Sequence, residues 1–236
     1  MIANRRRFLQ SLTLGAAGVS VAFHPSVFAA APAAGLPRST PEAEGIASAS
    51  IGKFLAGIAR EKHELHGLVL ARHGRVIAEG WWTPYGPGFN HTLYSMSKSF
   101  TSSAVGFAVA EGKLKVTDRV VSFFPQDVPE KVSEKLAAMR VKDLLCMAAG
   151  NEKEPTFDMV KQDNWVRHFL AAPVAHEPGS VFMYNSAATY MCSAIVQKLT
   201  GQRILDYLTP RLFAPLGIGA AMAVTVSHSG LGVLRN

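Results

Sequence analysis

Ser95-Met96-Ser97-Lys98 sets a hydroxyl and an amine three residues apart at the head of a run of small residues. Three residues is close to one helical turn, so the two side chains share a face and come within hydrogen-bond reach. A serine hydroxyl is a poor nucleophile at neutral pH, and acyl transfer needs a group that takes its proton as the oxygen attacks. A lysine in the right surroundings is such a group. The N-terminus of the helix, with its unpaired N–H groups, also favours the anion that develops on an attacked carbonyl. Alone, the spacing is weak evidence, because Ser and Lys are common and S-x-x-K recurs by chance in unrelated helices.

The surrounding segments supply the context. Residues 100–110, FTSSAVGFAVA, carry no charge and predict a helix packed on all sides. Glu111-Gly112 ends it, glycine being the usual residue just past a helix C-terminus. Further on, Phe182-Met183-Tyr184-Asn185-Ser186-Ala187 places a phenol at the entrance of a second helix, predicted over 187–200. Tyr184 is then available to complete a proton relay with Lys98. Without the Ser95 motif, an aromatic residue before a buried helix is more simply a core residue. LVLAR (68–72) and RVIAEGWW (75–82), joined by His73-Gly74, predict a β-hairpin from two apolar, β-prone runs around a glycine turn.

Taken in order, these segments resemble the serine β-lactamase and penicillin-binding-protein superfamily, in its class C-like esterase and amide-hydrolase branch. The resemblance covers about residues 36 to 218. It is carried by 70–82, 93–114, VVSFFP (120–125), MRVKDLLCMAAG (139–150), EPGSVFMYNSAATYMCSAIVQKLTG (177–201) and ILDYLTPRLFAPLGI (204–218). It implies an α+β fold, a helical lobe against an antiparallel sheet. It also implies Ser95 as the acylated nucleophile, Lys98 as its partner base and Tyr184 as the first residue of the family's Y-x-N element. Asn185 and Ser186 follow as substrate-binding positions. The third place of that element is Ser186 rather than Asn, a departure that argues mildly against an efficient β-lactamase.

The family's third element, K-T-G or H-x-G, has one candidate, His228-Ser229-Gly230, which follows Tyr184 too soon. The segment 229–236, SGLGVLRN, is more similar to an earlier glycine-rich stretch of the fold. The resemblance therefore implies a C-terminally truncated member whose sheet is incomplete and which lacks one oxyanion-hole N–H. Removal of one such donor typically slows acyl transfer by on the order of 100- to 1000-fold.

The N-terminus carries a second signal. Asn4-Arg5-Arg6-Arg7-Phe8-Leu9-Gln10 resembles the twin-arginine export motif, followed by a modest apolar stretch over 12–23 and by Val27-Phe28-Ala29, small residues suited to a signal peptidase. The division expected is a leader over 1–30 and a β-lactamase-like domain over 31–236, with 30–38 as a disordered spacer. The apolar stretch falls short of the roughly 20 residues that span a bilayer, so a stable membrane anchor is not expected. The product is expected to be periplasmic or secreted, with the twin-arginine machinery as a partner.

Composition narrows the class further. The 236 residues include 24 Lys and Arg against 17 Asp and Glu, and 48% are hydrophobic, enough for a substantial core. Three of the basic residues lie in the leader and the rest are dispersed, so no stripe suited to nucleic acid is present. Two cysteines, Cys146 and Cys192, permit one disulfide in an exported chain, but both sit in apolar helical patterns and read better as buried free thiols. His63 and His66 read as a solvated helix end rather than a metal site, and no cofactor is expected. The stretches 130–135 and 151–164 read as surface loops or solvated helix faces, the second able to line a cleft entrance in the family. No G-x-S-x-G elbow occurs, which sets aside the α/β-hydrolase triad.

The function expected is hydrolysis of a small ester, amide or β-lactam through an acyl-enzyme on Ser95. The alternative is a truncated, inactive family member that at most binds ligand. Covalent modification of Ser95 separates the two.

Overall fold

The structure, a computed structural model, describes residues 35–89 and 91–219. The leader, the N-terminal part of the spacer, His228-Ser229-Gly230 and the segment 229–236 lie outside the described residues. The chain divides into two compact units, one up to Phe89 and one from Asn90 onward.

The first unit contains helix α1 (Ser48–Arg60) and the hairpin of β1 (Gly67–Arg72) and β2 (Arg75–Trp81). The hairpin is antiparallel, with Arg72 opposite Arg75 and a register shift between Leu70 and Ala71. His73 and Gly74 both have positive φ, 49° and 74°, which is what a two-residue turn of the right twist requires. Ile51 and Leu55 of α1 and Ile77 of β2 form the unit's small core, with Leu68 and Trp82 packed against it. The expected spacer departs from disorder at its end: Arg38 bridges Val76, and Val76 N–H donates to the Pro37 carbonyl at 2.8 Å. Arg38 also pairs with Glu79 at 2.7 Å, so Pro37 and Arg38 cover part of the outer edge of β2.

The second unit is helical. It contains α2 (Ser97–Ala110), α3 (Glu134–Ala138), α4 (Val141–Leu145), α5 (Thr156–Met159), α6 (Trp165–Ala171), α7 (Ser186–Thr200) and α8 (Ile204–Leu208). Helix α7 is the central one: α2, α4, α5, α6 and α8 all pack on it. Its run from Ala187 to Val196 is buried apart from Thr189, and each large apolar side chain removed from water contributes roughly 1.5–3 kcal/mol. Gly201, at φ 68°, ends α7, as Gly112, at the same φ, follows α2.

Helix α2 is not packed on all sides as its sequence predicts. Ala104, Val105 and Ala108 are buried, whereas Ser102, Gly106 and Val109 are exposed. Its small residues serve close approach to α7 on one side and leave the other open. The cysteines also divide. Both are free, Cys192 is buried in α7, and Cys146 at the end of α4 is exposed. Burial pushes the Cys192 thiol up to about 12, far from the reactive thiolate form. Among the described residues no helix is long and apolar enough to cross a membrane, and no group of His, Cys, Asp and Glu is placed to hold a metal ion.

Candidate active site

Ser95 lies in a short 3₁₀ turn, Tyr94–Met96, directly before α2, and is exposed. Tyr94 takes a left-handed φ of 46°, which a non-glycine residue adopts at a cost. The Ser97 hydroxyl donates to the Tyr94 carbonyl at 2.7 Å and holds that turn. Lys98, in the first turn of α2, donates from Nζ to Ser95 Oγ at 3.2 Å. The predicted one-turn relation between the two residues is therefore present, although Ser95 itself precedes the helix.

Tyr184 comes from the other side of the sequence. Its Oη lies 2.5 Å from Ser95 Oγ, where either oxygen can donate, and Lys98 Nζ is 5.0 Å from the centre of its ring. The ammonium of Lys98, and then the Ser95 hydroxyl, favour the phenolate and hold the Tyr184 phenol below its ordinary value. The amine of Lys98 and the phenol of Tyr184 thus converge on the Ser95 hydroxyl oxygen. Tyr184 is 45% exposed, so the group is open to solvent.

Asn185 does not join that group. It is fully buried, it is the N-cap of α7, and its Oδ1 accepts the Ala188 N–H at 3.0 Å. Its Nδ2 donates to Asn151 Oδ1 at 3.1 Å, and Asn151 in turn donates to the Pro173 carbonyl. Both ends of the Asn185 amide are thus engaged inside the fold, where the residue caps α7. We expect Asn185→Ala to lose about 2–4 kcal/mol in denaturant unfolding, from the lost cap together with a buried amide oxygen left without its donor. A loss below 0.5 kcal/mol would show that neither bond matters.

Ser186, half-buried at the first position of α7, donates its backbone N–H to Glu154 Oε1 at 2.6 Å. The Thr156 hydroxyl donates to the same oxygen at 2.9 Å. Burial works against the Glu154 charge, but the Ser186 N–H, the Thr156 hydroxyl and the charge of Lys98 outweigh it and leave the carboxyl below its ordinary value. Sequence reasoning placed this residue in a solvated stretch. In fact Asn151, Pro155, Thr156 and Met159 of that stretch are buried, and Glu154 is half-buried.

The neighbouring backbone is fixed by a glycine. Gly150 has φ 87°, and a Cβ there would collide with the His176 carbonyl. The close approach lets His176 N–H donate to the Gly150 carbonyl at 3.0 Å, while Met183 N–H donates to Met147 at 2.8 Å. The segments around Gly150 and His176 are thereby tied together on the approach to Tyr184.

The profile of the Beta-lactamase family matches residues 54–223, well over half of the chain. The chain belongs to the Beta-lactamase family. Among relatives of this family member, 6-aminohexanoate-dimer hydrolase of Paenarthrobacter ureafaciens is 25% identical over 179 residues, covering 70% of this chain and 45% of that protein. Penicillin-binding protein 4 of Amycolatopsis lactamdurans is 29% identical over 149 residues, covering 58% of this chain and 39% of that protein. A solved structure, EstCE1, a hydrolase with promiscuous acyltransferase activity, superposes with a TM-score of 0.56 at 22% identity, covering 72% of this chain and 52% of its own. At that identity the likeness establishes the fold, a β-lactamase-type one. The Beta-lactamase family chain described here spans less than half the length of the two curated relatives.

Proposed function

We propose that this Beta-lactamase family chain is an exported serine hydrolase that cleaves small esters or amides through an acyl-enzyme on Ser95. The observation that carries the reading is the convergence on Ser95 Oγ of Lys98 Nζ at 3.2 Å and Tyr184 Oη at 2.5 Å. Oγ attacks the carbonyl carbon as its proton passes to the Tyr184 and Lys98 pair, and the oxyanion forms. Collapse breaks the bond to the leaving alcohol or amine, which takes that proton. Water then attacks the acyl-enzyme, gives its proton to the same pair and releases the acid, returning the proton to Ser95.

Esters and small amides are favoured over peptides and β-lactams because the Asn185 amide is committed to the helix cap and position 186 carries no carboxamide. Relatives named as a 6-aminohexanoate-dimer hydrolase and a penicillin-binding protein support a hydrolytic acyl transfer in general. The leader around Arg5, Arg6 and Arg7 supports export by the twin-arginine route to the periplasm or beyond.

The test is the intact mass of the folded chain before and after exposure to a fluorophosphonate. One adduct, mapped to the peptide containing Ser95, is the expected result. Absence of an adduct on demonstrably folded protein would leave a chain of the right fold that does not catalyse.

A further inference from the structure

We propose that Glu154 is a positioning residue of this site, its carboxylate anchoring the first turn of α7 beside Tyr184 and setting the charge balance between Lys98 and Tyr184. The inference rests on the acyl-transfer reading above for its catalytic meaning, but its physical content is separate.

Three links brace the chain around Tyr184. Met183 N–H donates to Met147, Asn185 Nδ2 to Asn151 at 3.1 Å, and Ser186 N–H to Glu154 Oε1 at 2.6 Å. The residues just before and just after Tyr184 are thus tied to one segment, 147–154. Of these ties, only the Glu154 link brings a charge. It joins an N–H at the positive end of a 15-residue helix, where a carboxylate is favoured.

The charged and titratable groups that bear on Tyr184 are Lys98 from α2 and Glu154 from the 151–155 segment, with the Ser95 hydroxyl from the turn before α2. Lys98 favours the phenolate and Glu154 opposes it, Lys98 more strongly. Facing Glu154 are the Ser186 N–H, the Thr156 hydroxyl and Lys98. A carboxylate at this place opposes the ionisation of Tyr184 that Lys98 favours.

The test is an ultraviolet titration of tyrosine in the full chain and in Glu154→Gln, Glu154→Ala and Glu154→Asp, each compared with the same background carrying Tyr184→Phe. The difference isolates Tyr184. The Gln variant keeps an oxygen for Ser186 and Thr156, the Ala variant does not, and both remove the charge. In each, the Tyr184 midpoint is expected at lower pH than in the parent, whereas Glu154→Asp holds it near the parent value. A midpoint unmoved or raised in either folded neutral variant overturns the proposal, since a merely structural role for Glu154 leaves the titration where it was. The Ser95 adduct, measured alongside in the parent, judges the acyl-transfer reading independently.

Discussion

Ser95→Ala is expected to abolish the fluorophosphonate adduct and to lower ester turnover by on the order of 10⁴-fold or more. Ser97, the other serine of the motif, is not free to take over. Ser97 is buried and its Oγ is engaged with the Tyr94 carbonyl at 2.7 Å, so its loss of freedom is part of what holds Ser95 in place. Lys98→Ala is expected to come close to the same loss, because the nucleophile then keeps only one of the two groups that converge on it. Residues that act as one unit are strongly non-additive, so the double variant is expected to be no slower than Ser95→Ala alone. Steady-state hydrolysis of a small chromogenic ester, with mass spectrometry of the probe adduct, measures both. Retention of parental turnover in Ser95→Ala would place the chemistry elsewhere.

The parts of this site that were legible in the sequence are those whose geometry is local. Ser95 and Lys98 are separated by one helical turn, and the relation follows from backbone periodicity alone. The same holds for the hairpin, whose turn is written in His73-Gly74, and for the helix ends at Gly112 and Gly201. Tyr184 is 89 residues from Ser95, and only the resemblance of whole segments to a family connected them. Asn185 carried two meanings. Its position beside Tyr184 suggested substrate contact, yet an Asn immediately before an apolar run is also a strong N-cap, and the fold uses it as one. Glu154 gave no signal because what makes it part of the site, the Ser186 N–H, lies 32 residues away and is a backbone group, silent in residue type. The polar look of 151–164 arose from short segments in which only Asn151, Pro155, Thr156 and Met159 are buried. No periodic pattern develops over so few positions.

Tyr184→Phe is expected to slow turnover by about 10²- to 10⁴-fold, the usual contribution of a positioned proton-transfer group, and to remove the acid limb of the pH profile. The sign follows from the cause of the shift. Lys98 and then Ser95 hold the Tyr184 phenol below 10.0, so the fraction of phenolate able to accept the Ser95 proton rises as pH rises through that lowered value. Parent kcat/KM for a small ester should climb in the same interval, and the Phe variant should not. Stability behaves differently. A group with a depressed folded value adds stability that is complete above its unfolded value and lost as pH falls through its folded value. Below its lowered folded value, where the phenol is protonated both folded and unfolded, Tyr184 contributes nothing by this route. Tyr184→Phe keeps the ring over which Lys98 lies and loses one exposed hydrogen bond, so unfolding at neutral pH should change by no more than about 1 kcal/mol. A large loss of turnover with unchanged stability therefore assigns the hydroxyl to chemistry. If turnover stays within a few-fold of the parent and the acid limb survives, the proton on Ser95 leaves by Lys98 alone, and the 2.5 Å contact is a resting arrangement rather than part of the relay.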